Sequence, residues 1–260
     1  MLGAIAGDVI GSVFEFHNTD DPDFDLFCAR SRFTDDTVLT LAVADHILNG
    51  GDYETLLKRY ARAHPNRGYG RSFGTWVVWD RTGPYNSFGN GSAMRVSPVG
   101  FAFDSLEAVL GEAQRSAEVT HNHPEGIKGA QAVAAAIFLA RTTKDKEIIK
   151  KDVSRRFGYD LNRTLSQIKA NYSYDVTCQG SVPESIIAFL ESNGFEDCIR
   201  KAVLLGGDSD TIACIAGGIA QAFYGGVPEG IVREVRERLS AELLAILDAF
   251  NAKCGLKMAL

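Results

Sequence analysis

No Cys-x-x-Cys pair occurs anywhere in the 260 residues. The five cysteines, at 28, 178, 198, 214 and 254, are odd in number and scattered, which removes the usual zinc and dithiol motifs. Free thiols of this kind fit a reducing compartment, so the expected location is the cytoplasm. The apolar N-terminal run Met1-Leu2-Gly3-Ala4-Ile5-Ala6-Gly7 has no basic segment ahead of it and is interrupted by Asp8, unlike a secretory leader. No apolar stretch approaches the length that spans a bilayer. Positive charge is in deficit, with 27 Lys and Arg against 33 Asp and Glu and a net charge of -6. That balance argues against a broad nucleic-acid or membrane surface and leaves room only for a local basic pocket. Short repeats, low-complexity tracts, a linker and runs of alternating strand pattern are all missing. What remains, at 45% hydrophobic and 23% charged, is one large globular domain over residues 1–260. Its expected class is all-α.

Two short acidic stretches stand out. Thr34-Asp35-Asp36-Thr37 runs into Val38-Leu39-Thr40-Leu41, and Asp208-Ser209-Asp210-Thr211 follows Gly206-Gly207 and runs into Ile212-Ala213-Cys214. Either alone reads as helix capping, since Thr and Asp accept from free N–H groups and acids favour the positive helix end. Together they supply hard oxygen donors of the kind Mg²⁺ or Mn²⁺ takes. If folding joins the two helix mouths, their charges repel unless a cation lies between them.

The rest of the chain reads as helices and turns. Residues 2–16 form an apolar helix with Gly3, Gly7 and Gly11 in a stripe that admits a second backbone at close range, and Glu15 ends it. Asn18 to Asp23 belong to an irregular acidic loop without the EF-hand pattern. The first acidic mouth opens a helix that Gly50-Gly51 stops, and Asp52 caps the next, with Leu56, Leu57 and Tyr60 inward. A short helix over 72–80 carries Phe73, Trp76 and Trp79 as core residues. Ser87-Phe88-Gly89-Asn90-Gly91-Ser92 exposes backbone N–H groups ahead of a helix starting near Ala93, a geometry that cradles phosphate, with Arg95 placed to pair with it. Further helices are expected over 104–118, 125–141, 145–157, 182–191, 195–205 and 209–224, with a last one begun by Pro228. Thr120-His121-Asn122-His123 is a turn and a weak metal signal, and Tyr172-Ser173-Tyr174 is an extended piece or a lid.

Four segments, in order, resemble the ADP-ribosylglycohydrolase family, which includes the dinitrogenase-reductase-activating glycohydrolases. They are Gly3 to Glu15, the Thr34 mouth, Gly89-Asn90-Gly91-Ser92-Ala93-Met94-Arg95, and Gly206 to Thr211, with Thr120-His121 as a fifth and weaker match. The resemblance implies an all-α fold, a centre of two Mg²⁺ or Mn²⁺ ions, and hydrolysis of the glycosidic link between ADP-ribose and a protein side chain or related conjugate. By position it implies that Thr34, Asp35, Asp36, Asp208, Asp210 and Thr211 are metal ligands and that Glu15 and Asp36 are catalytic. It makes Ser87, Phe88, Gly89, Asn90, Gly91 and Ser92 the substrate loop, Phe88 stacking on adenine, and His121 a contact to the distal ribose. Several arginine-directed members carry an acid after proline ahead of the substrate loop. Here Pro65-Asn66-Arg67-Gly68 stands at the comparable place, so the linkage stays open. The expected partner is an ADP-ribosylated protein or small ADP-ribose conjugate, with no membrane, no nucleic acid except as a modified substrate, and a monomeric enzyme. Two other readings are a metal-dependent phosphohydrolase, since helix-borne Asp clusters also suit pyrophosphate, and a non-catalytic ADP-ribose-binding protein.

Overall fold

Helix α1 (Leu2–Gly11) is buried on every side, which an apolar helix with glycine on one face can be only at the centre of a packed structure. The computed structural model describes residues 1–80 and 83–260. After a long irregular stretch comes α2 (Asp35–Asn49), whose cap Thr34 accepts from the Asp36 N–H at 3.3 Å and whose end is turned by Gly50. Asp52 caps α3 (Tyr53–Ala63), accepting from Thr55 at 2.9 Å. Then follow α4 (Arg71–Val78) and the short α5 (Gly91–Met94) and α6 (Ser97–Ala102). Ser105 caps α7 (Leu106–Glu118), and Pro124 opens α8 (Pro124–Thr143), where a missing N–H costs nothing. Asp145 caps α9 (Lys146–Phe157), and Thr164 with Gln167 forms a capping box on α10 (Leu165–Lys169). Four elements remain before the end: α11 (Cys178–Leu190), α12 (Phe195–Leu205), α13 (Ser209–Tyr224) and α14 (Glu229–Arg238). Ser240 caps the last, α15 (Ala241–Lys253). No strand occurs among the described residues, which hold only the isolated bridges Gly89 to Thr177 and Val227 to Ala259. The all-α expectation holds.

The glycine stripe explains how the two acidic mouths meet. Helices α1 and α13 lie against each other along their length. A Cβ on Gly7 would collide with the Ala213 carbonyl, and one on Gly11 would lie 2.5 Å from the Asp210 Cα. Without side chains there, the backbones approach closely enough to bring Asp8 on α1 beside Asp210 on α13. Helix α1 also packs on α2, so one central helix touches both mouths. Around them a continuous apolar core runs from Met1 to Phe250.

Four sequence expectations change. Helix α1 stops at Gly11 rather than 16: the Ser12 hydroxyl folds back onto the Val9 carbonyl at 2.9 Å, and Phe14 turns to meet Phe24 edge-on at 4.8 Å. Glu15 therefore sits on a turn. Trp79 is not core; it follows the end of α4 and is 73% exposed, whereas Phe73 and Trp76 fall on the buried face. Helix α11 starts at Cys178, because Thr177 supplies a cap to Gly180 at 3.1 Å and Pro183 is accommodated inside the helix. The C-terminal helix is two helices, broken where Leu239 is extended and Ser240 caps anew.

Candidate active site

Asp8, hidden inside α1, accepts from the Thr34 N–H at 2.9 Å, the Thr34 hydroxyl at 2.7 Å, the Thr37 N–H at 3.1 Å and the Thr37 hydroxyl. It caps α2 from another helix, satisfying donors that the helix start leaves free. The Thr211 hydroxyl on α13 reaches Asp36 at 3.4 Å, and Asp210 accepts from the Thr211 N–H at 3.0 Å. Folding thus gathers carboxylates from three helices and a turn. Oxygens of Asp8, Asp36 and Asp210 lie within 4.8 Å of one another, and so do those of Glu15, Asp208 and Asp210. Asp35 lines the same cavity from the first turn of α2, its N–H donating to the Arg67 carbonyl at 2.8 Å, but falls outside both tight groups. Thr34 donates its hydroxyl to Asp8 at 2.7 Å and lies 3.4 Å from the Asp36 Oδ2, near enough to share a cation with it.

These acids are electrostatically uncompensated. Burial first, and then mutual repulsion, pushes Asp35, Asp36 and Asp210 well above the usual carboxylate range. Burial also raises Asp8 and Asp208, and raises Glu15 against the opposing hydrogen bond from Tyr174. Among the described residues no lysine or arginine forms an ion pair with any of the six. The Asp36 Oδ1 is buried without a hydrogen-bond partner. An orphaned carboxylate oxygen within a cluster of carboxylates fits a hard divalent cation.

The cavity measures about 330 Å³. One wall is acidic, from Glu15, Asp35, Asp36, Asp208, Asp210 and Thr211; Ser87, Gly89, Asn90, Gly91 and His121 contribute another. Asn90 joins the two, donating its amide to Asp208 at 2.6 Å and to Ser181 at 2.9 Å. The loop is held from behind by segment 172–178: Asn90 N–H donates to the Val176 carbonyl at 2.8 Å, and Cys178 N–H to the Phe88 carbonyl at 2.9 Å. Ser87 turns its hydroxyl to the Gly89 N–H at 3.2 Å. Ser92 is buried and bonded to the Gly126 carbonyl at 2.7 Å, so it braces the loop from inside the protein. Phe88 stands at the rim, 45% exposed, its ring 5.3 Å from that of His123. Arg95, which the sequence reading paired with phosphate, touches the cavity; its Nη2 donates to the Ser116 carbonyl at 2.7 Å and the Thr120 hydroxyl at 2.9 Å, and its Nε is buried without a partner. It is 1% exposed.

Two residues of the site escaped the sequence reading. Asp8 could have been found, because a carboxylate in the middle of an apolar, glycine-striped helix must have a buried purpose. Tyr174 stood out only as part of an extended piece or lid, with nothing to tie it to Glu15. Its hydroxyl donates to Glu15, 159 positions away, at 3.0 Å, and its ring stacks on the adjacent Phe16 at 6.0 Å.

Comparison with known proteins agrees with this geometry. The family model for ADP-ribosylglycohydrolase matches residues 1–257. The chain is 30% identical to the ADP-ribosylarginine hydrolase Tri1 of Pseudomonas putida, covering 90% of this chain and 72% of that protein. It is 26% identical to the human ADP-ribosylhydrolase ARH3, covering 86% and 84% respectively. Among solved structures, an ADP-ribosylglycohydrolase-related protein complex superimposes with a TM-score of 0.74 at 25% identity, over 97% of this chain and 95% of that one.

Proposed function

The chain belongs to the ADP-ribosylglycohydrolase family and is a hydrolase of ADP-ribosyl conjugates; on that premise we propose that it releases ADP-ribose from a protein side chain or related conjugate in a metal-dependent reaction. The observation that carries the metal dependence is the convergence of five carboxylates in two groups that share Asp210, none of them ion-paired to lysine or arginine among the described residues, with the Asp36 Oδ1 left bare. Thr34, Asp35, Asp36, Asp208, Asp210 and Thr211 would hold two Mg²⁺ or Mn²⁺ ions. When bound, such ions supply Lewis-acid polarisation of ribose hydroxyls and lower the pKa of water.

The residues of the chain then divide the work. In the loop from Ser87 to Gly91 the N–H groups of Phe88 and Gly91, which have no protein partner among the described residues, are available to the diphosphate, and Phe88 at the rim offers a ring to adenine. Asn90, bonded to Asp208, fixes the loop relative to the acidic wall. Breaking the link at the ribose carbon develops positive charge on the sugar, which the surrounding carboxylates stabilise. Asp36 takes the proton from the attacking water. Glu15, raised in pKa and bound through Oε1 to Tyr174, keeps Oε2 to hand a proton to the leaving side chain. The enzyme acts as a monomer in the cytoplasm; the free cysteines support that compartment, and no described helix is long and apolar enough to cross a membrane.

Product identity tests the reading. Chromatography of the reaction on an ADP-ribosylated peptide should show free ADP-ribose, and its formation should stop when EDTA is added. AMP as the released nucleotide would mean attack at phosphorus and would overturn it.

A further inference from the structure

Behind the substrate loop lies a short chain of donors with one direction. Arg95 is buried with no acidic partner among the described residues, and its Nη2 donates both to the Ser116 carbonyl at 2.7 Å and to the Thr120 hydroxyl at 2.9 Å. The Thr120 oxygen lies 2.7 Å from the Nδ1 of His121. A guanidinium can only donate, so one lone pair of the Thr120 oxygen is occupied by Arg95. The Tyr85 phenol also lies near the Thr120 hydroxyl, but the short contact is the one to His121 Nδ1, the better-placed acceptor for its single proton. Were Nδ1 protonated instead, the Thr120 oxygen would accept from both Arg95 and His121, and its own proton would be left only the more poorly placed Tyr85 phenol. Burial and the Arg95 charge both keep the imidazole neutral. A neutral ring whose Nδ1 accepts must carry its proton on Nε2.

Nε2 is where a ligand would be. His121 is 4% exposed and lines the cavity, and no protein group hydrogen-bonds Nε2 among the described residues. It faces the substrate loop: a Cβ on Gly91 would lie 3.2 Å from Nε2 and one on Gly89 3.7 Å. From the other side a Cβ on Gly126 would be 2.9 Å from the His121 Cβ, so the ring is confined.

We propose that Arg95 and Thr120 are positioning residues that set His121 in the Nε2–H tautomer, so that the cavity presents a donor to a phosphate or hydroxyl oxygen of the bound nucleotide. The proposal rests on the ADP-ribose reading for the identity of that oxygen, while the tautomer itself is a property of the ligand-free protein. It also gives the buried arginine a purpose other than direct phosphate binding. None of Arg95, Thr120 and His121 belongs to the carboxylate groups, so the relay should act on binding rather than on bond breaking.

The test uses protein labelled with ¹⁵N-histidine and free of ligand. Long-range ¹H–¹⁵N correlation identifies the protonated ring nitrogen, and His121 is assigned among the five histidines by the signal lost in His121→Gln. Wild type and Thr120→Ser should both show Nε2–H. Thr120→Val should populate Nδ1–H, with ADP-ribose affinity by calorimetry and KM both weakened about 10-fold and kcat kept within about twofold, the scale of one hydrogen bond. Should Thr120→Val fail to fold, the wild-type and Thr120→Ser spectra decide alone. Nδ1–H in the wild type, or a Thr120→Val protein that binds ADP-ribose as tightly as wild type, would overturn the relay. Absence of ADP-ribose binding to the wild type would overturn the proposed function instead.

Discussion

At the scale of single residues, the acids of the cavity have separable tasks. Asp210 touches both tight carboxylate groups, so its removal should disable whatever they hold. Partners one shell outside a metal ligand already matter 10–100-fold, and loss of Asp210 should exceed about 100-fold in turnover. Because Asp210→Ala also removes a charge that repels Asp36 and Asp208, its far-UV circular dichroism and melting in EDTA should stay close to wild type. An Asp210→Ala protein retaining EDTA-sensitive activity would remove this residue from the ligand set. Glu15 answers to a different measurement. Glu15→Gln keeps an oxygen for the Tyr174 hydroxyl but cannot hand over a proton. Turnover should fall about 10²–10⁴-fold on a conjugate with a poor leaving group, with ADP-ribose affinity little changed. Equal rates for the two proteins would reduce Glu15 to a polar residue on a turn.

At the scale of elements, the contact of α1 with α13 sets the distance between the mouths. Gly7→Ala places a methyl against the Ala213 carbonyl, where no flexible side chain can yield. Overpacking of this kind costs about 1–3 kcal/mol, measurable by urea unfolding, and divalent-ion affinity should weaken with it because Asp8 and Asp210 move apart. A Gly7→Ala protein with wild-type stability and ion binding would contradict this. The stripe, the caps Thr34, Asp52 and Asp145, and the stopping glycines 50 and 158 are short-range signals, which is why most helices and the meeting of the acidic mouths were legible in the sequence. What could not be read depends on distant partners. Helix α1 ends at Gly11 because Phe14 finds Phe24, and Glu15 is fixed by a tyrosine far along the chain. The break between α14 and α15 was missed although Ser240 carries an ordinary cap signal, since the leucine spacing runs on through it. Asp8 was in view, but its capping of α2 from α1 is a tertiary contact and has no local pattern.

At the scale of the molecule, the buried acids couple stability to pH and to ions. Asp8, Asp35, Asp36, Asp208 and Asp210 all have folded-state pKa values raised above the ordinary 3.8. A raised acid binds its proton more tightly in the folded chain, so the stabilisation is complete below 3.8 and is lost as pH rises through the folded values. Ion-free protein should therefore melt at a lower temperature at pH 8 than at pH 5. Mg²⁺ or Mn²⁺ at about 100 times its Kd adds about 2.7 kcal/mol, or about 5–10 °C for a chain of this size, and should help more at pH 8 than at pH 5, where protons compete. A melting temperature indifferent to ions at pH 8 would mean that the acids tolerate one another unaided. With one continuous core and both chain halves contributing to one cavity, residues 1–260 should also unfold in a single transition by fluorescence and circular dichroism.

The central claim is that the acidic wall and the Asn90 loop together cleave an ADP-ribosyl link with the help of a divalent cation. Its most direct test is ADP-ribose release from matched arginine-linked and serine-linked peptides, each with Mg²⁺, with Mn²⁺ and with EDTA. Release is expected from at least one peptide with either cation and from none with EDTA, and the peptide that is cut fixes the linkage. Release that persists undiminished in EDTA would contradict the account.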